Sequence, residues 1–296
     1  MRLLFIHGIG QQAYDEPRLL AKWSNILVDH GLDPAKLAAA QPAMAFYGDL
    51  LHQLSEKVAV AQPMSASVSE LAGIGEGELE FIQSGLAEAA DQRGFTTPDI
   101  EAAAQRAEVS LDPVVTAIPM STGRGRFAVG VLRLLDELAP SLRDTALRFL
   151  KQAYAYLKKP GVRPAVDARV RPRLGSGELV LVTHSLGTVV AFHLLRELEK
   201  AGSDLRVPLL VTMGSPLGVE AVKRYVDLPH RPPSNLGHWL NFYDRGDPVS
   251  LGKPLAAEFA AGIVDNGAIN NQTDNAHCIE GYLNQAVICD AIAAVL

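Results

Sequence analysis

The chain has 296 residues, 48% of them hydrophobic and 20% charged, with a formal net charge of −6. That length sustains one large α/β domain, or a domain carrying a sizeable insertion. The acidic balance gives no reason to expect nucleic acid as a partner. No apolar run approaches the roughly 20 residues a membrane helix needs.

Met1 leads directly into a strand pattern at 2–6. A secretory signal peptide is therefore not expected, and a cytoplasmic setting is. The strand runs into His7-Gly8-Ile9-Gly10, a glycine-rich turn whose backbone N–H groups are free to face a ligand. Asp15 and Pro17 open a helix with Leu20, Trp23 and Leu27 on one side and Gly31 as its stop. A second apolar strand is predicted at 43–47.

Residues 51–175 break this rhythm. They show no clear strand, and Gly73-Ile74-Gly75-Glu76-Gly77 and Pro119-Met120-Ser121-Thr122-Gly123 read as loops or hinges. Ser141 followed by Asp144 is a capping-box signal for a helix bearing Ala146, Phe149, Leu150 and Ala153 on one face. Charge is polarised here. Residues 65–115 hold ten acidic and two basic side chains, and residues 121–175 hold four acidic and twelve basic. Solvated, mutually complementary faces explain this more simply than a basic lip for anionic substrate or lipid headgroups, though the lip leaves membrane contact open.

Strand patterns return at 178–183, 207–213 and 238–243, and a helix is expected at 186–199. Near-continuous apolar strands alternating with helices indicate a doubly wound, mostly parallel sheet covered on both faces. A final helix is predicted at about 278–294, burying Ile279, Tyr282, Leu283, Ala286 and Ala293. Cys278 and Cys289 would lie too far apart on it to bridge, so both read as free thiols. The division expected is a core of 1–50 and 176–296 with a mostly helical insertion at 51–175, whose last helix packs on the core.

The chemistry concentrates in Thr183-His184-Ser185-Leu186-Gly187, where an apolar strand meets a helix at a serine. Such a strand–turn–helix raises one Oγ to the rim of a sheet. A serine needs a base to take its proton and a third group to orient that base. His277, at the mouth of the last helix, is the candidate base. Asp247, past the end of strand 238–243, is the candidate acid, with Asp244 as its rival. The backbone N–H of Leu186, and that of Ile9 or Gly10, would receive an oxyanion. His7 more simply braces its loop, and His184 and His193 read as packing groups. Thr183 departs from the glycine usual two residues before such a nucleophile. No G-x-x-x-x-G-K-S/T follows the first strand, which disfavours a nucleotide site.

The set His7-Gly8-Ile9-Gly10, Thr183-His184-Ser185-Leu186-Gly187 and Gly214-Ser215-Pro216-Leu217, with Ser185, Asp247 and His277 in that order, resembles the α/β-hydrolases of the lipase/esterase kind. The resemblance covers about 1–50 and 176–296. It implies a core that begins near the family's third strand, without its leading antiparallel hairpin. It also implies a serine hydrolase acting on small-molecule or lipid carboxylic esters through an acyl-enzyme, with no cofactor and no metal. The same triad serves thioesters, amides and lactones, and a catalytically silent binding protein on this fold is the alternative of another class. Ser215 reads as structural.

Overall fold

The computed structural model describes residues 1–56, 75–109, 123–272 and 275–296. Its centre is a six-stranded, entirely parallel sheet of β1 (Arg2–Ile6), β2 (Ala43–Ala45), β3 (Leu179–His184), β4 (Val207–Met213), β5 (Leu236–Asp244) and β6 (Val264–Ile269), in the order β2-β1-β3-β4-β5-β6. Side-chain alternation splits each central strand between two apolar clusters. Leu4, Ile6, Leu179 and Leu181 face one, and Leu3, Phe5, Val180 and Val182 face the other. Both faces are covered by helices, so the inner strands β1, β3 and β4 are mostly apolar.

On one face lie α1 (Glu16–Asp29) and, near the carboxyl end of the chain, α12 (Ile279–Leu283) and α13 (Ala286–Ala293). Asp15 caps α1 by accepting from the Arg18 N–H, and the helix buries Leu19, Trp23 and Leu27, with Leu20 half-buried beside them. Trp23 meets Phe5 of β1 with ring centroids 5.3 Å apart. The short α2 (Pro34–Ala39) leads into β2, and α3 (Gly48–Glu56) follows it.

Between α3 and β3 every described element is helical: α4 (Glu76–Arg93), α5 (Thr97–Val109), α6 (Gly123–Leu138), α7 (Pro140–Lys158) and α8 (Val162–Leu174). Close backbone approaches knit them together. A Cβ on Gly85 of α4 would strike Leu150 of α7, and one on Gly130 of α6 would strike the Ile100 carbonyl of α5. The last of these helices, α8, packs against β1, β2 and α9 (Leu186–Lys200), which follows β3. One apolar cluster runs without a break from the sheet through α9 into α4, α6, α7 and α8.

Several expectations need correction. The strand expected at 43–47 ends at Ala45, and Tyr47 turns into the start of α3. The helix with Ser141 starts at Pro140 and has Ala139 at its cap position without a side-chain bond, so Ser141 sits inside the first turn. Glu76 and Gly77 belong to α4, with Gly75 before them, and Gly123 begins α6. Gly73, Ile74 and 119–122 lie outside the described residues. The expected helix over 278–294 is two helices, because Asn284 ends the first and Gln285 is extended (φ −83°, ψ 120°). Cys278 precedes α12 and Cys289 lies in α13, and both are free. The sixth strand, β6, was not foreseen.

Two short helices complete the fold, α10 (Glu220–Lys223) after the turn Pro216–Gly218, and α11 (Leu255–Glu258) before β6. No helix among the described residues is long and apolar enough to cross a membrane.

Candidate active site

The strand order sends the chain from β1 outward to β2 and later to β3 on β1's other side, so the carboxyl ends of β1 and β3 flank a topological switch point. Open α/β sheets place ligands at such a crevice. The loop after β1 and the turn after β3 meet there.

Ser185 stands between β3 and α9 with φ 55° and ψ −132°, a backbone conformation that non-glycine residues rarely adopt. Its N–H still donates to the Met213 carbonyl at 3.0 Å, which fixes the turn to β4. The helix begins in the next residue, and the neighbours explain how it can. A Cβ on Gly187 would lie 2.5 Å from the Ile6 and His7 carbonyl oxygens, so only glycine lets α9 pass so close to β1. A Cβ on Gly8 would collide with the Ser185 side chain. Thr183 is accommodated because it points within the sheet, where its hydroxyl donates to the Val211 carbonyl at 3.0 Å.

His277 Nε2 is 2.7 Å from Ser185 Oγ, and its Nδ1 is 2.9 Å from Asp247 Oδ2. These three residues, far apart in the chain, form one buried hydrogen-bonded line. An ionised Asp247 can only accept, so Nδ1 carries the proton and Nε2 presents a lone pair to the serine hydroxyl. Asp247 is held further by Tyr282, whose hydroxyl donates to Oδ2 at 2.7 Å, and by the Val249 and Ser250 N–H groups, which donate to Oδ1 at 2.7 and 3.2 Å. Burial would raise this carboxyl. The attraction of a protonated His277 for the carboxylate and the donated hydrogen bonds outweigh burial and hold it below the usual carboxylate range.

Asp244 has different work. Its Oδ1 accepts from the Gly246 N–H and its Oδ2 from the Asn271 N–H, both at 2.6 Å. It shapes the turn that carries Asp247 and does not meet His277.

The loop after β1 is braced by His7, as the sequence suggested. Its Nδ1 donates to the Gly8 carbonyl at 2.8 Å, and its Nε2 accepts from the Tyr47 N–H at 3.0 Å. Burial lowers this imidazole to about 4, so it is neutral at ordinary pH. Gln11 Nε2 donates to the Ile9 carbonyl at 3.0 Å and steadies the next residue. Ile9 and Gly10 therefore sit on the loop that passes the serine at Gly8. The Leu186 N–H belongs to the first turn of α9, where helix amides have no intrahelical acceptor.

Four positioning groups were not foreseen as part of the site. His184 stacks on His277 with ring centroids 4.6 Å apart, and its Nε2 donates to the His277 carbonyl at 3.0 Å. Burial, reinforced by the neighbouring His277, lowers it well below the ordinary histidine value. Asn271 Nδ2 donates to the Ala276 carbonyl at 3.1 Å and the Cys278 carbonyl at 2.7 Å, gripping the chain on both sides of His277. Tyr282 was read as helix core, and its hydroxyl reaches Asp247. Gly214, at φ 54°, leaves room for the acid, since a Cβ there would lie 2.7 Å from Asp247 Oδ2 and 3.0 Å from His277 Nδ1. A glycine after a strand was the signal available for the last; His184 lay in the quoted turn and was read as packing, and nothing in the sequence marked Asn271 or the reach of Tyr282. Ser215 is structural, with its Oγ 2.8 Å from Thr188 Oγ1.

Helices of the 51–175 segment touch the loops that carry Asp247 and His277. Gln92 and Arg93, at the end of α4, donate to the Arg245 and Gly246 carbonyls at 2.9 and 2.7 Å, beside Asp247. Thr145 of α7 accepts from Asn275 Nδ2 at 2.9 Å, and Asn275 Oδ1 accepts the His277 N–H at 3.0 Å. An apolar crevice of about 10 Å³ lies between Leu86 and Ala89 of α4, Ala146, Phe149 and Leu150 of α7, and Val219, Val249 and Leu251 of the sheet loops. It holds no more than a water-sized group. Ion pairs between described residues engage eight of the twelve basic side chains in 121–175, among them Arg126–Glu108, Arg143–Asp136, Lys159–Glu78 and Arg169–Asp49.

No protein-family model and no curated protein matches the chain.

Proposed function

We propose that the protein is a serine hydrolase of the α/β-hydrolase fold, cleaving carboxylic esters through an acyl-enzyme on Ser185. The observation that carries this reading is the continuous line Asp247–His277–Ser185, with contacts of 2.9 and 2.7 Å and the tautomer that general-base chemistry needs. The strand order also supports it, because a parallel sheet starting at the family's third strand would have this arrangement.

In the first half-reaction Ser185 Oγ bonds to the ester carbonyl carbon while its proton passes to His277 Nε2. The carbonyl oxygen becomes an oxyanion, received by the Leu186 and Ile9 N–H groups, with Gly10 N–H as a further donor. The oxyanion then collapses and the carbon–oxygen bond breaks. His277 gives its proton to the departing alkoxide, leaving an acyl-Ser185 ester. A water then repeats the sequence, losing a proton to His277 and releasing the carboxylic acid. Asp247 stays ionised and stabilises the imidazolium in both halves.

The helical segment serves as a cap in this reading. Contacts from α4 to the acid loop and from α7 to the histidine loop support that role. Ser185 has no exposed surface, so an ester reaches it only after groups packed over it shift.

A fluorophosphonate probe tests the proposal. Wild-type protein is expected to be labelled at Ser185, and Ser185→Ala to remain unlabelled. Equal labelling of both, or of neither, rejects it.

A further inference from the structure

We infer that Arg148 is a specificity-determining residue, and that the preferred ester carries an anionic group, carboxylate or phosphate-like, on its acyl part. The inference rests on the hydrolase reading of Ser185.

Three observations converge on Arg148. First, α7 crosses the site along one face. Thr145 bonds Asn275 at the histidine loop, and Arg148, one helical turn further on, lies over the loop after β1. A Cβ built on Gly10 would come within 3.4 Å of Arg148 Nη1 and 3.8 Å of Cδ. Gly10 has no side chain and a φ of 72°, and this lets the guanidinium approach the loop backbone.

Second, its charge is uncommitted. Eight cations of the same segment are in ion pairs, and Lys158 lies 4.4 Å over the Tyr225 ring. No ion pair or hydrogen bond joins Arg148 to another of the described residues.

Third, the guanidinium is exposed and lies beside the residue that follows Ile9, so an anion on the acyl part can reach it while the leaving oxygen stays near His277 Nε2, which protonates it. A planar guanidinium binds carboxylate and phosphate oxygens in pairs, so an anion a few bonds from the scissile carbonyl would meet it. The crevice between α4, α7 and the sheet loops is apolar and narrow, and its lining among the described residues carries no charged side chain.

Monoethyl succinate against ethyl butyrate tests the inference, with monoethyl phosphonoacetate as the phosphorus counterpart and the released acid measured by chromatography. Wild-type kcat/KM is expected to favour at least one of the anionic esters by about tenfold over butyrate. Which anion is favoured identifies its chemistry. Arg148→Gln should bring the ratio to about one, and Arg148→Lys should keep part of it. A wild-type ratio of one or less overturns the inference. So does a ratio that survives in Arg148→Gln, including the case where both esters slow equally. Fluorophosphonate labelling separates the two failures. A labelled protein without anion preference loses the role of Arg148 alone, and an unlabelled one loses the hydrolase reading with it.

Discussion

The sheet edge and the helical segment are held by different forces. At the sheet edge, Gly8, Gly187 and Gly214 have no room for a Cβ, and buried hydrogen bonds fix Ser185, His277 and Asp247. In the helical segment, apolar faces and small residues pack the helices, while half-exposed ion pairs such as Arg106–Glu137 cross the outside. The first arrangement tolerates little displacement and suits bond-making. The second rests on packing and screened ion pairs, and in the proposed reading it governs admission and selection.

The largest test of this contrast strikes the rigid side. Asp247→Asn should keep the shape of the site but present an amide to His277 and disturb its tautomer. In the proposed reading ester turnover is expected to fall about 10⁴-fold, with a loss of about 1–3 kcal/mol in stability because the amide cannot accept all four donated bonds. A fall below tenfold would detach Asp247 from the chemistry.

Next comes the helical side. Gly130→Val drives a side chain into the Ile100 carbonyl and should destabilise the packing of α5 and α6 by about 1–3 kcal/mol. Melting should come earlier while fluorophosphonate labelling of Ser185 persists. Loss of labelling together with stability would show the two regions to be one rigid unit.

Acid sharpens the contrast further. His7 is lowered by burial to about 4 and His193 to about 3. Both are neutral in the fold and take up protons near 6.5 when unfolded, so the unfolded state binds more protons below that pH. Stability should therefore be full above pH 6.5 and fall as pH drops to 5, by roughly 2 kcal/mol for each histidine. Thermal melts across that range check the slope. His193 packs among Tyr156 of α7 and Phe192, so His193→Gln should flatten the slope without touching Ser185, His277 or Asp247.

The smallest effect is expected at the surface. Arg126→Ala removes an ion pair whose partners are 42% and 40% exposed. Screening limits the loss to about 0.5 kcal/mol or less, to be read as a melting shift of roughly 1 °C.

Legibility in the sequence follows the same divide. The inner strands could be read because burial on both faces demands uninterrupted apolar runs, as in Leu179–His184. Ser185, Asp247 and His277 could be singled out because each stands next to a strand end or helix start, where a side chain has one obvious destination. β6 escaped because an edge strand needs no such run. Val264 is 60% exposed, and Asp265, Asn266 and Gly267 look like a turn. The break at Asn284-Gln285 escaped because the apolar spacing continues across it. Asn271 and Tyr282 act through contacts with residues distant in the fold, which no local pattern encodes. The order and packing of α4 to α8 depend on pairings such as Gly85 with Leu150, and composition does not announce them.

The placement of β1 has a consequence for how the chain assembles. Leu4 pairs with Ala43 on one side and with Leu181 on the other, and the whole helical segment lies between β1 and β3. The centre of the sheet therefore cannot close until residues beyond α8 have been made. Helices, whose contacts are local, form long before such a distant partner is found. During synthesis β1 waits with one unpaired edge while the helical segment takes shape first. Pulse-labelled hydrogen exchange during refolding should record this order, with amides of α6 and α7 protected before those of β1.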